Sequence, residues 1–405
     1  MFSRRIEADY ATGTIPAKLF GASCMHDRVR QEIATAAKKI VIKVGTRVLT
    51  SADGTLNHER IAILGEELHK IMAAGRQVAL VSSGAVGAGM SRLELKQRPT
   101  DLAKLQAVAA IGQSALIEAY DQTLRHLGCH VAQVLLTADG LDQRASYLNV
   151  RNTILSLLEF GAIPVINEND TVSVDELLTT FGDNDRLAAL VTNLIGAPLL
   201  IILSDVDGLY DGDPDNRESQ LLSTVARVDE SICSLARDRV SGISQGGMTS
   251  KLEAAQLVTR AGENVIIASG HKVGVLDRIL AGELEGTLFL AQGKTISPWK
   301  RWIGLAVQPR GQLKLDAGAC RAIAHEGCSL LAIGIISAKG DFSKGEVVSL
   351  IDEHGTEFAR GLTNYVRRDI DRIQGKRSEQ IPQILGHLPY EEVIHRDNMV
   401  VLDNV

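Results

Sequence analysis

Two clusters of amides and acids are the residues most able to do chemistry in this chain: Asn167-Glu168-Asn169-Asp170 and, across a loop, Asp183-Asn184-Asp185. Asn and Asp side chains bond to nearby backbone, which favours turns over packed structure. Two surface turns are therefore one reading. The other follows from the apolar run 163–166 that leads into the first cluster. At the end of a buried strand, such residues are placed to hold a small ligand carrying an ammonium group. Asp185 has two roles open to it. It can cap the helix that opens at Arg186, or it can hydrogen-bond phosphate-handling lysines and keep them oriented.

Lysines and glycine-rich turns surround these clusters in the sequence. Lys43 lies in the apolar stretch KIVIKVGTRVL, where a charge is unfavourable unless it is paired or reaches the strand end. Gly45 beside it would let a phosphate approach the backbone. The run 78–81 enters Ser82-Ser83-Gly84-Ala85-Val86-Gly87-Ala88-Gly89, a strand–turn–helix junction that offers N–H groups and hydroxyls to an anion, or simply close packing. The acid spacing from Ser204-Asp205 to Asp215 suggests a calcium loop only superficially, because Leu209 stands where an acid or amide is required. An acidic loop bordering a nucleotide and its magnesium fits better. The segment Gln245-Gly246-Gly247-Met248-Thr249-Ser250-Lys251 precedes a helical pattern over 252–261 and forms a second anion cradle. Lys251 sits at the positive end of that helix, so it needs a compensating anion, which a transferring phosphoryl group would supply. The spacing does not match a P-loop, and the P-loop-like Gly293-Lys294-Thr295 has Leu288 at the required first glycine. Two lysines, two anion cradles, an acidic loop and an amide/acid pocket add up to phosphoryl transfer, which asks for positioning and charge neutralisation.

The elements that must position these groups are legible as alternating patterns. Apolar runs over 40–44, 78–81, 131–136, 164–166, 199–203 and 265–268 alternate with amphipathic segments over 61–74, 102–127, 147–160, 186–195 and 251–261. This order predicts an α/β fold, a mostly parallel sheet sandwiched by helices, with ligands beyond the carboxyl ends of the strands. Residues 1–36 show no sustained periodicity and are expected to form a poorly ordered extension, with Met25 open as an alternative start. The α/β unit is expected over 37–292. A small, mainly β domain is expected over 299–397, with runs at 305–307, 347–351 and 399–402 between glycine-containing turns. With 405 residues, two or three domains are expected. Hydrophobic content of 45% against 23% charge excludes disorder. Five scattered cysteines without a C-x-x-C pair point to reduced thiols in the cytoplasm rather than a disulfide or zinc framework. No secretory signal or membrane-spanning run is read.

Taken together and in order, Lys43-Val44-Gly45-Thr46, Ser82-Ser83-Gly84-Ala85, the 166–170 run, 182–185 and 246–251 resemble the amino acid kinase superfamily. The resemblance covers residues near 38 to 290. The tail, with Lys300-Arg301-Trp302, Gly327-Cys328-Ser329, Phe342-Ser343-Lys344-Gly345-Glu346 and His395-Arg396-Asp397, is similar to a PUA domain. Within the superfamily these residues look like the branch that phosphorylates the side-chain carboxylate of L-glutamate with ATP, and the resemblance implies formation of L-glutamyl 5-phosphate for proline biosynthesis. By this resemblance Lys43 and Lys251 would neutralise the phosphoryl group in flight, and Asp185 would orient them. Ser83, Asp170 and Asn184 match glutamate-binding positions. Lys43, Ser204, Asp205 and Gln245 through Lys251 match ATP-binding positions. Magnesium is implied on the ATP phosphates, with no protein metal cage. The family also implies feedback inhibition by proline at the glutamate site, a homo-oligomer (dimer or tetramer) and coupling to glutamyl-phosphate reductase. The stretch 171–181 is where inhibitor sensitivity is expected to vary. Two alternatives compete: a superfamily member acting on another acid, or an RNA-binding PUA protein. An aspartate-specific member would carry regulatory domains of another kind. Residues 300–405 hold 14 Lys+Arg against 14 Asp+Glu, which lacks the basic excess of an RNA footprint.

Overall fold

The computed structural model describes residues 22–51, 54–172, 183–214, 216, 218–237, 247–292, 298–386 and 390–402. Eight strands form one sheet in the order β3-β4-β2-β1-β5-β7-β8-β6. They are β1 (Lys39–Val44), β2 (Gln77–Ser82), β3 (His130–Leu136), β4 (Ala162–Glu168), β5 (Leu199–Ser204), β6 (Thr224–Val225), β7 (Asn264–Ser269) and β8 (Thr287–Phe289). Every pairing is parallel except β7 with β8. The six runs expected to be strands are all strands, each extended by one or two residues at one or both ends. Their composition explains them: continuous Val, Ile and Leu suits strands covered on both faces.

The pleat decides where Lys43 goes. Ile40, Ile42 and Val44 point into one core with α2 (His58–Ala73) and α4 (Leu102–His126). Val41, two residues before Lys43, points into the opposite core with α5 (Arg144–Glu159), α6 (Asp183–Ile195) and α7 (Gly247–Arg260). Side chains two residues apart share a face, so Lys43 emerges beneath α6 and α7. Those are the helices that carry Asp185 and Lys251.

Between α2 and α4 lies α3 (Ala85–Arg92), and it touches α4 through glycines. A Cβ on Gly89 would fall 1.9 Å from the Val108 carbonyl oxygen, and one on Gly112 only 1.7 Å from that of Ala85. Within the Ser/Gly run Gly89 serves packing, while Gly84 (φ 106°) caps α3 at the cavity described below. Gly→Ala inside a helix ordinarily stabilises by about 1 kcal/mol. Gly112→Ala should reverse that sign and destabilise by about 1–3 kcal/mol through overpacking. Chemical denaturation will read the difference, and a stabilised variant would refute the close approach.

Of the extension expected over 1–36, residues 1–21 lie outside the described residues, and 22–36 form a helix, α1 (Ala22–Ala36). Its anchor is Arg30, 2% exposed, whose guanidinium donates to the carbonyls of Ser223 (2.6 Å), Glu285 (2.7 Å) and Gly286 (3.1 Å). A single arginine meeting carbonyls leaves no apolar periodicity to detect.

The tail forms a five-stranded sheet, β10-β9-β11-β12-β13, around a separate core. Its strands are β9 (Gly311–Leu315), β10 (Ile335–Gly340), β11 (Val347–Ile351), β12 (Glu357–Leu362) and β13 (Met399–Val401). The strand expected at 305–307 is absent, because Trp302–Ala306 is a π-helical turn. Trp302 is buried against the α/β unit and donates its indole N–H to Leu141 O at 3.2 Å. Trp302, Ile303, Val307, Val347 and Val400 thereby join the core of α5 and α6. A short apolar run does not reveal which core it enters. Cys129, Cys233, Cys320 and Cys328 carry free thiols. No described helix is long and apolar enough to cross a membrane.

Candidate active site

The carboxyl ends of β1, β2, β4 and β5 open onto a cavity of about 340 Å³, lined in part by Lys43, Ser83, Asp170, Ser204, Asp205 and Lys251. Residues distant in sequence meet here because parallel strands all end on the same side.

At its centre, one carboxylate serves two ammonium groups. Asp185 is fully buried, and its two oxygens lie 2.6 Å from Lys43 Nζ and 3.1 Å from Lys251 Nζ. Ser250 Oγ donates to the second oxygen at 3.1 Å, and Lys251 also donates to Gly247 O at 2.8 Å. Burial pushes the Asp185 carboxyl up, but the charges of Lys43 and Lys251 outweigh it and hold it below the usual carboxylate range. Burial lowers Lys251, against the pull of Asp185. Of the two roles open to Asp185, the geometry matches the orienting one. Two buried cations sharing one anion leave a positive charge to be met by whatever enters. That arrangement attracts a phosphoryl group.

The amide and acid clusters occupy the neighbouring end. Asp170 is buried, and its carboxylate accepts from Gln113 Nε2 at 3.0 Å. Gln106 Nε2 donates to the Asp170 carbonyl at 3.1 Å. Burial raises the Asp170 carboxyl above its ordinary value, only partly offset by the hydrogen bond from Gln113, its own backbone and the charge of Arg98. Ser83 lies on the wall, at the mouth of α3. Asn184 is fully buried behind it and does not itself line the cavity. Its amide donates to Ser83 Oγ at 2.8 Å and to Asn167 Oδ1 at 3.0 Å. The two clusters are thus one hydrogen-bonded unit, with Asn184 placing Ser83 rather than facing the cavity.

On the remaining side, Ser204 Oγ donates to Asp205 Oδ1 at 3.0 Å, and Asp205 pairs with Arg47 at 2.6 Å. Burial raises the Asp205 carboxyl, but Arg47 and Ser204 together bring it below its ordinary value. Of the second glycine-rich cradle, Gly247, Ser250 and Lys251 line the wall. Met248 instead points into the apolar core, and Thr249 is exposed off the cavity. Gln245 and Gly246 lie outside the described residues, as do 173–181 of the inter-cluster stretch.

Two site residues escape sequence reasoning. Gln113 sits on the buried stripe of α4, where an amide is the one available signal. Arg47 looks like any residue after a glycine until β5 brings Asp205 beside it.

A parallel sheet whose strand ends converge a buried lysine pair, a carboxylate and a helix N-terminus defines a phosphotransferase. The sequence model of the Amino acid kinase family matches residues 38–269, and that of the PUA domain matches 311–385. Among curated relatives, glutamate 5-kinase of Rhodopirellula baltica is 52% identical over 373 residues, 92% of this chain and 96% of that protein. Glutamate 5-kinase of Moorella thermoacetica is 45% identical over 93% of this chain and all of its own length. That of Rippkaea orientalis is 48% identical over 89% and 98%. The chain belongs to the amino acid kinase family and, within it, to the glutamate 5-kinases.

Proposed function

We propose that this protein transfers the γ-phosphoryl group of ATP to the side-chain carboxylate of L-glutamate, forming L-glutamyl 5-phosphate and ADP. The observation that carries the reading is the pair Lys43 and Lys251 held on Asp185, beside a pocket end that offers the buried carboxylate of Asp170. The acceptor carboxylate is ionised at neutral pH, so no proton must be removed before attack. What the reaction requires is two anions brought together and the charge between them neutralised. Lys43 and Lys251 do this from opposite oxygens of Asp185, which fixes their spacing. Ser83, held by Asn184, and the N-terminus of α3 would receive the acceptor carboxylate. Asp170 would receive the substrate ammonium. Ser204, Asp205 and the start of α7 would border the nucleotide.

Magnesium would arrive with ATP and neutralise its phosphate oxygens. The ion would be held mainly by nucleotide oxygens and water, with Asp205 the carboxylate on that side of the cavity. The same proposal places the protein in the cytoplasm as a homo-oligomer, with units at 37–292 and 299–397. It also holds proline inhibition at the amino-acid end and hand-over of the product to glutamyl-phosphate reductase.

Hydroxylamine trapping tests the reading. Purified protein with ATP and magnesium should yield a hydroxamate from L-glutamate and not from aspartate or N-acetylglutamate. A signal from either of those acids without one from glutamate would overturn it.

A further inference from the structure

Resting on the glutamate reading above, we infer that Arg98 receives the α-carboxylate of the amino-acid substrate and so helps set its specificity. Glutamate brings three charges. Its side-chain carboxylate must reach the lysine pair, and its ammonium has a complement in Asp170. The α-carboxylate hangs from the same carbon as the ammonium, so its partner must stand beside Asp170. Around the whole cavity the wall offers four cations, Lys43, Arg47, Arg98 and Lys251. Lys43 and Lys251 are held by Asp185, and Arg47 by Asp205. Arg98 makes no ion pair or hydrogen bond with the described residues. Its charge nevertheless reaches Asp170, whose carboxyl it draws down against the effect of burial.

The chain supports the placement. Arg98 lies three residues before Asp101, which caps α4 by accepting from Lys104 N at 3.0 Å. The same helix supplies Gln106 and Gln113, which hold Asp170. One continuous segment thus fixes the receptor for the ammonium and carries the cation for the carboxylate. An exposed guanidinium at the cavity mouth can offer a bidentate fork to an entering carboxylate, which a lysine cannot.

The test compares L-glutamate with L-isoglutamine, its α-amide, which keeps the side-chain carboxylate but lacks the α-carboxylate charge. In the hydroxamate assay the full-length protein should favour glutamate in kcat/KM by about ten- to a hundredfold, the range for a hydrogen bond to a charged group. Arg98→Met should lower kcat/KM for glutamate by a similar factor, mostly through KM. Its turnover of isoglutamine should stay near the unsubstituted level, which also reports a folded site. The preference would then collapse towards unity, and Arg98→Lys should restore part of it. A preference that survives in Arg98→Met, whatever the loss of activity, would overturn the inference while leaving the glutamate reading intact. Absence of hydroxamate from glutamate with the unsubstituted protein would overturn both.

Discussion

Lys251→Met will lower kcat by about three orders of magnitude or more, the scale at which a single cation acts on a transferring phosphoryl group. The fold should survive. Without Lys251 the Asp185 carboxylate keeps Lys43 at 2.6 Å, so no buried charge is stranded. Lys251 is itself disfavoured by burial, which lowers its pKa. Its loss therefore removes an unfavourable desolvation together with a favourable contact. Thermal unfolding and steady-state kinetics on the same preparation separate the two effects. An unfolded variant would make Lys251 a structural residue, and an active one would remove it from the reaction.

Asp185→Ala should do the opposite to stability. It strands two lysines in a buried site, and breaking such a cluster costs about 3–5 kcal/mol. The double variant Asp185→Ala/Lys251→Met should recover much of that loss while remaining inactive, because one buried cation is easier to hold than two. The same carboxylate gives a signature in pH. Its folded-state pKa is depressed by Lys43 and Lys251, so the folded protein gives up this proton more readily than the unfolded chain. The stabilisation is then fully present above the unfolded value, about 3.9, and is lost as pH falls through the lower folded value. Unfolding free energies measured down through that acid range should show the slope in the parent protein and not in Asp185→Asn. A parallel slope in both would show that Asp185 does not carry the charge assigned to it.

The residues that sequence reasoning finds are those that break a local rule. Lys43 interrupts an apolar strand, Asp170 ends one, and Lys251 sits at the unfavourable end of a helix. Each carries its signal within a few neighbours. Asp185 stays ambiguous in the sequence because a cap and an orienting carboxylate have the same residue type at the same place; only the pleat of β1 and the packing of α7 distinguish them. Gln113 and Arg47 break no rule and gain meaning only from partners 57 and 158 positions away. The sheet itself is legible because buried parallel strands read as unbroken apolar runs. The helix around Arg30 and the π-helical turn at Trp302 are not, since one is anchored by carbonyls and the other by a core belonging to another unit. Met248 shows the converse: its side chain enters the apolar core while Gly247, Ser250 and Lys251 line the cavity, because side chains on a helix cannot all face one way.

The sharing of one apolar core by the tail and the α/β unit bears on how the chain comes apart. Trp302 sits with Tyr147, their rings 6.2 Å apart, while Arg301 forms a buried ion pair with Glu263. Val347 and Val400, from two strands of the tail sheet, enter the same cluster. Separating the units would expose those rings and strand a buried charge pair at once. The tail therefore cannot melt away quietly while the kinase half persists. The two architectures should lose their structure in a single cooperative transition, so that damage far out in the tail is felt as a loss of kinase.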